Sequence, residues 1–170
     1  MSDEITGIFS PRLKRHWVVS SYDLAQCDVT TSCGRRFVLA YRGDGRKRVY
    51  FITDDTGSVL AQSRRIYTSG WRSFVNQSLM FTDPTGKDIM EYSGRLFPTT
   101  VRFGTVEVTC RRYVRKWFRK VFDSELFEFE QKALKAEVGF IIKDPRFLLP
   151  SLCCGYFDYV LQSENNSGGE

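Results

Sequence analysis

The most continuous hydrophobic stretch of the chain lies near the C-terminus, between Arg146 and Leu161, and Arg146 and Asp158 are its only charged residues. A segment that is apolar on every side is buried in a protein core or in lipid. This one is shorter than the roughly 20 residues that cross a bilayer. We therefore predict that it is the core element of the fold and that a sheet wraps around it.

Helix signals accompany this segment. Asp144 followed by Pro145 is a typical helix start, since Asp caps the first turn and Pro fits its first position. Pro150 would break such a helix, so the regular part is expected to run over about residues 151–161.

Upstream, short apolar runs alternate with turn residues, as in antiparallel sheets. The β-branched and aromatic content predicts a first strand over residues 16–22, and residues 23–34 are expected to be a loop or a short edge strand. Residues 36–41 and 47–53 are predicted to pair as a hairpin, because the Gly-Asp-Gly turn at 43–45 supplies the positive φ angles that such turns need.

One pattern occurs twice, at residues 51–60 and 80–89, in the form Thr-Asp-x-Thr-Gly between apolar residues. In each copy Asp opens a tight turn through its side chain and Gly takes the left-handed position that ends it. Two copies are too few for a solenoid, which needs about three. They predict an antiparallel meander, with residues 70–74 beginning the strand that leads into the second copy.

The segment 111–122 alternates apolar pairs with basic pairs, directly after a predicted strand at 101–110. On a helix the apolar residues would occupy one side and the basic residues the other, whereas a strand would mix them on both faces. The periodicity therefore favours a basic amphipathic helix. Further on, 125–130 and 137–143 are predicted strands, and the alternative is a single helix over 124–138.

These elements predict one β-rich domain over residues 16–162, as expected for a chain of 170 residues. Residues 1–15 mix both charge signs and are expected to form a flexible arm. The polar residues 163–170 are expected to form a disordered tail.

Three features resemble the superfamily of tubby C-terminal, phospholipid scramblase and LURP-one-related domains: the twin turns at 51–57 and 80–86, the strand at 136–143, and the apolar segment 147–161. The resemblance covers about residues 16–162. It implies a closed antiparallel barrel threaded by a hydrophobic helix, and a lipid-linked function, because tubby-type domains bind phosphoinositide headgroups with basic surface side chains. It assigns no binding residue in this sequence.

The charge balance points to anionic partners, since the net charge is +5 and the pI is about 9.0. The odd cysteine count, five, with Cys153 and Cys154 adjacent in the apolar stretch, does not resemble a secreted disulfide framework. With neither a secretory signal nor a transmembrane stretch in the sequence, we expect an intracellular protein, cytoplasmic or peripheral to a membrane.

The candidate binding residues follow from this charge pattern. Two basic groups are predicted to bind an anionic headgroup or phosphate, and aromatic residues beside them are predicted to contact a membrane or a partner. The alternative is that the aromatics of 111–122 pack on the protein and the cations are merely solvated. The basic residues are Arg111, Arg112, Arg115, Lys116, Arg119 and Lys120, with Arg46, Lys47 and Arg48 after the 43–45 turn; the aromatic residues are Tyr113, Trp117, Phe118 and Phe122.

Catalytic and metal-binding patterns are weak in the sequence. His16 is the only histidine, and Cys27 and Cys33 are too far apart for a common zinc knuckle, with no second pair to complete a site. Nucleotide-binding and nucleophile motifs are missing. We expect no enzyme activity, no cofactor and no metal.

The sequence thus predicts a mainly β fold, an antiparallel barrel or curled sheet around an apolar C-terminal helix. The leading functional hypothesis is a non-enzymatic module that recognises anionic surfaces, above all membranes containing phosphoinositide. The alternative is a structural subunit of a larger protein or ribonucleoprotein assembly that docks through 111–122.

Overall fold

The structure is a computed structural model that describes residues 3–15, 20–43, 48–65, 77–94, 99–116, 118–132 and 135–167. In these ranges, antiparallel strands form one closed barrel in which each strand pairs with its neighbours in sequence and the last pairs with the first. The strands are β1 (Ile5–Arg15), β2 (Ser20–Thr31), β3 (Arg36–Arg42), β4 (Val49–Asp54), β5 (Val59–Arg65), β6 (Gln77–Thr82), β7 (Asp88–Gly94), β8 (Thr99–Phe103), β9 (Val106–Arg115), β10 (Arg119–Asp123), β11 (Phe127–Gln131) and β12 (Val138–Ile142), followed by a 3-10 turn (Pro145–Phe147) and α1 (Leu148–Ser167).

The helix α1 runs through the inside of the barrel. Residues 151–160 are all buried, and their side chains meet strands on different sides of the barrel. The ring of Phe157 contacts Tyr50 on β4 and Tyr92 on β7, while Gly155 lies against Phe129 on β11. The predicted fold, an antiparallel barrel around an apolar C-terminal helix, is confirmed.

The helix is longer than the predicted range. Asp144 caps the 3-10 turn by accepting a hydrogen bond from the Arg146 backbone N–H at 3.0 Å, as its sequence predicts. Pro150 falls in the first turn of α1, where a backbone N–H has no helical partner, so it does not break the helix. The prediction of a disordered tail is wrong for residues 163–167, which are helical.

The twin turns are confirmed. In the first, the Asp54 carboxylate accepts hydrogen bonds from the backbone N–H groups of Thr56 (3.0 Å) and Ser58 (2.9 Å). Asp83 makes the same two bonds in the second turn, both at 2.9 Å. The glycines have φ of 85° at Gly57 and 87° at Gly86, in the left-handed region that glycine adopts without strain.

Three predictions about strands and their bounds need correction. The predicted arm over residues 1–15 contains β1, and the predicted loop or edge strand over 23–34 lies largely within the long β2. Both strands have partners on both sides, because a closed barrel has no free edge. The predicted strand over 101–110 is divided into β8 and β9 by a turn at Gly104, which has φ of 63°.

Other predicted strands are confirmed. The hairpin of β3 and β4 forms with the predicted partners, and β11 and β12 pair with each other, which excludes the alternative helix over 124–138. Residues 16–19, 44–47 and 70–74, on which parts of the predictions fall, lie outside the described residues.

The predicted amphipathic helix over 111–122 is wrong. This segment contains the end of β9 and β10 up to its last residue but one, and the two strands form a hairpin with Arg115 opposite Arg119. On these strands, basic and apolar residues mix on both faces, which is what the periodicity argued against. The barrel accepts this mixture because carboxylates from distant elements face the arginines on both the inner and the outer side.

Candidate functional site

The two ends of the barrel differ in charge. One end carries the turns between β3 and β4, β9 and β10, and β11 and β12, together with the exit of α1. We call it the basic end after its described cations, Arg42, Arg48, Arg115, Lys116, Arg119, Lys120, Lys132 and Lys135. The opposite end carries the twin turns, and its carboxylates, including Asp54, Asp55, Asp83, Asp88, Asp123, Glu125 and Asp144, outnumber its described cations, which include Arg35, Arg36, Lys87, Lys143 and Arg146.

At the basic end, the β9–β10 hairpin ends in an exposed tip. Phe118 has φ of 57°, a left-handed conformation that is rare for a non-glycine residue, and 77% of its surface is exposed. Val114, near the end of β9, is 66% exposed. Lys116 is exposed beside them, and Trp117 lies outside the described residues. The tip therefore presents apolar groups and cations to the solvent together.

Three of the six cations of the predicted stripe are paired with carboxylates on the outer face of the barrel. Arg115 lies between two carboxylates of β11, and its hydrogen bonds to Glu128 and Tyr113 raise its pKa. The hairpin therefore does not present a continuous row of unpaired cations. The outer pairs are Arg111 with Asp123 (3.0 Å), Arg115 with Glu128 (2.9 Å) and Glu130 (3.0 Å), and Arg119 with Glu130 (3.1 Å).

Arg112, which was also predicted on this stripe, points into the barrel. Its guanidinium donates to the Asp158 carboxylate of α1, to the Tyr92 hydroxyl at 2.6 Å and to the Thr99 hydroxyl at 3.1 Å. It also lies over the ring of Phe122, 5.1 Å from its centroid. Burial raises the pKa of Asp158, although the bonds from Arg112 and Tyr92 act in the opposite direction.

The aromatic residues that are predicted to contact a membrane or a partner are likewise divided between the outer face of the barrel and its core. Tyr113 lies on the outer face, where its hydroxyl donates to Asp123 at 3.0 Å and accepts from Arg115 at 3.0 Å. Phe122 is only 6% exposed and packs on Phe127 and Phe129 in the core. Its burial is at odds with the predicted membrane or partner contact.

Of the second predicted basic group, Arg48 is described. Its guanidinium lies over the Tyr41 ring, 4.2 Å from the centroid, at the same end of the barrel as the hairpin tip. Arg46 and Lys47 lie outside the described residues.

A cavity of about 350 Å³ opens inside the barrel at the basic end, between α1 and strands β9 to β12. We call it the rim cavity. Its outer row consists of Val114, Lys120, Gln131 and Val138, which pair in turn across the four strands. One step further inside lie Arg112, Phe122 and Phe129, and α1 covers the cavity with Gly155, Asp158, Tyr159 and Gln162.

The rim cavity was not predicted from the sequence, because its wall is assembled from four strands and a helix. One signal was available: Asp158 is the single acidic residue in the apolar segment 147–161. A lone buried carboxylate needs a cationic partner. That requirement pointed to an arginine inside the barrel.

Metal chemistry and membrane-spanning helices find no support within the described ranges. No group of three or more His, Cys, Asp or Glu residues there is arranged to hold a metal ion. Among the helices that the structure describes, none combines the length and the apolar character needed to cross a bilayer. No protein-family model, no curated protein and no solved structure matches the chain.

Proposed function

We propose that the protein is a non-enzymatic binding module that docks on anionic membranes, with phosphoinositide as the preferred lipid. The observation that carries the proposal is the β9–β10 tip, where the 77% exposed Phe118 stands beside Lys116 and Lys120. Neither lysine takes part in an ion pair with any described residue. An exposed aromatic ring with unpaired cations on either side is an arrangement suited to a charged lipid surface.

The aromatic ring and the lysines of the tip interact with different parts of the bilayer. An aromatic ring enters the boundary between headgroups and acyl chains, where its burial is favourable. Each lysine held near an anionic leaflet contributes about 1 kcal/mol of attraction, which declines with salt. The tip therefore supports weak, reversible docking rather than permanent insertion.

The charge difference between the two barrel ends supports one orientation on the membrane. The basic end attracts an anionic surface, while the carboxylates around the twin turns are repelled by it. Arg48, next to the β3–β4 turn, is at the membrane-facing end in this orientation. The long axis of the barrel then points away from the membrane surface, and the β9–β10 tip contacts the lipid headgroups.

Co-sedimentation with vesicles tests the proposal. Vesicles of phosphatidylcholine alone are compared with vesicles that also contain phosphatidylserine or a phosphoinositide. The native chain is expected to sediment with the anionic vesicles and to be released by salt. Phe118→Ala should weaken this binding about fivefold, as expected for the loss of roughly 1 kcal/mol. Lys116→Glu should weaken it about 30-fold, because the reversal removes roughly 1 kcal/mol of attraction and adds a repulsion of about the same size.

Lys87→Glu is the matched control, because it makes the same charge change in a twin turn at the opposite end. It should leave vesicle binding unchanged. Equal losses from Lys116→Glu and Lys87→Glu would show that only net charge matters and would contradict docking through the tip. A generic RNA serves as a second arm: tip-dependent RNA binding without vesicle binding would favour the alternative, a subunit of a ribonucleoprotein assembly.

A further inference from the structure

We infer that the rim cavity binds an anion that carries a single hydrophobic chain, with the chain inside the barrel and the anionic head on Lys120. The cavity shares Lys120 and Val114 with the β9–β10 tip, but the bound chain lies inside the barrel and its binding does not require docking on a membrane. The inference rests on the shape of the cavity, on its walls and on the position of its one cation without an ion-pair partner.

The shape suits a chain rather than a bulky ligand. The outer row of the cavity crosses four neighbouring strands, which at about 4.8 Å per spacing gives a slot about 14 Å long. The inner row lies two residues deeper on each strand, or about 7 Å. The volume of about 350 Å³ is within the range of small-molecule pockets.

The walls of the slot are largely apolar. Val114 and Val138 stand at its two ends on β9 and β12, and the rings of Phe122 and Phe129 form its floor. The ring of Tyr159 covers it from α1, and the hydroxyl of that residue is directed away to the carbonyl oxygen of Ala136 at 2.9 Å. A hydrocarbon chain in the slot therefore meets hydrocarbon on most sides.

The charges of the cavity select the head of the ligand. Arg112 already pairs with Asp158 and donates to two hydroxyl groups, so its charge is balanced and only one of its five N–H groups is left for a second anion. Lys120 faces the mouth from the inner side of β10, and no carboxylate among the described residues pairs with it. An anionic head at the mouth satisfies Lys120, whereas a second cation there would be repelled.

The same chemistry has two sources, a free fatty acid or one acyl chain of an anionic membrane lipid. Titration calorimetry with decanoate, below its micelle concentration and without vesicles, tests the first. For the second, the protein is incubated with phosphatidylserine vesicles and recovered, and the lipid that stays bound is identified by mass spectrometry. Decanoate binding in the first arm, or a bound lipid recovered in the second, supports the site and identifies the source of the ligand.

Two variants test the assignment of chain and head. Val114→Trp places an indole at the mouth, and Val114 is exposed enough for the barrel to fold around the change, which the unfolding midpoint verifies. It should lower decanoate affinity by about tenfold or more, because the indole occupies the space of the chain. Lys120→Gln should lower it about three- to fivefold and leave the weaker binding of decanol unchanged.

Lys116→Gln removes the same charge from the outside of the tip and serves as the matched control. It should weaken vesicle docking but leave decanoate affinity unchanged, so failure of the proposed membrane function and failure of the cavity site can be told apart. Decanoate binding that is equal in the native chain and in Val114→Trp would overturn the inference. The inference would also be overturned if decanoate did not bind in the titration and no lipid stayed bound after incubation with vesicles.

Discussion

The guanidinium of Arg112 on β9 donates through Nε to the Asp158 carboxylate of α1, with 2.7 Å between the two heavy atoms. This pair joins the barrel wall to the helix inside it. Asp158 is 4% exposed, so its charge depends almost entirely on this partner and on the Tyr92 hydroxyl.

Removing one member of this pair should be more harmful than removing both. Arg112→Met leaves a buried carboxylate without its cation, and we expect a loss of about 3 kcal/mol in the free energy of unfolding at neutral pH. The double variant Arg112→Met with Asp158→Leu should recover most of that loss, because apolar residues suit the site. Denaturant unfolding measures all three proteins.

The pH dependence of the single variant provides a further check. Burial raises the pKa of Asp158, and loss of Arg112 should raise it further. A folded-state pKa above the unfolded value means that the folded protein binds the proton more tightly, so the group favours folding at low pH and loses that effect as pH rises. The deficit of Arg112→Met should therefore shrink as pH falls towards 4, and a constant deficit would contradict this account.

A second prediction concerns the close contact between Gly155 and Phe129. A Cβ atom at position 155 would lie 2.3 to 2.7 Å from atoms of the Phe129 ring, so the ring would have to move within a packed core. We expect Gly155→Ala to lower the free energy of unfolding by about 2 kcal/mol. Gly139→Ala is the control, since its Cβ would be 3.9 Å from the nearest atom. Equal effects in thermal unfolding would contradict the packing argument.

The twin turns should respond to acid. The Thr56 hydroxyl and the backbone N–H groups of the turn lower the pKa of Asp54, and Thr85 does the same for Asp83. A lowered folded-state pKa stabilises the protein above the ordinary value of 3.8, and this stabilisation is lost as pH falls below it. Asp54→Asn with Asp83→Asn keeps acceptor oxygens without the charge, so its unfolding midpoint should decline less steeply between pH 4 and pH 2 than that of the native chain.

Thiol reactivity should distinguish one cysteine from the other four. Cys33 is exposed, and Cys27, Cys110, Cys153 and Cys154 are buried. A hydrogen bond with the Thr31 hydroxyl, 3.1 Å from the sulfur, lowers the pKa of Cys33 and favours its thiolate. An aromatic disulfide reagent should label Cys33 first and the rest only after unfolding, and Thr31→Val should shift the pH profile of that labelling upwards. Fast labelling of two or more thiols in the folded protein would contradict the structure.

The parts of the fold that could be predicted are those whose signals are local. The Asp and Gly residues of the twin turns determine their geometry within five positions, and the structure has the same hydrogen bonds in both. The segment around residues 151–161 is apolar on all sides, so its burial could be predicted.

The predictions that proved wrong concern segments whose conformation depends on residues far away in the sequence. Residues 111–122 fit a helical wheel, and nothing nearby indicates that Asp158 would receive Arg112 inside the barrel or that Glu130 would receive Arg115 outside it. The strand β1 was missed for the same reason, since its partner β12 lies near the other end of the chain. The rim cavity depends on all of these pairings and could not be found before them.

Closure of the barrel by β1 and β12 sets the order in which the protein can fold during synthesis. The nascent chain emerges with β1 first, and that strand keeps one bare edge until β12 has left the ribosome. The helix that fills the barrel is made later still, so the sheet cannot complete its curvature around a finished core. Ribosome-bound chains that end before β12 should therefore remain open, with a strand edge available to chaperones or to other chains.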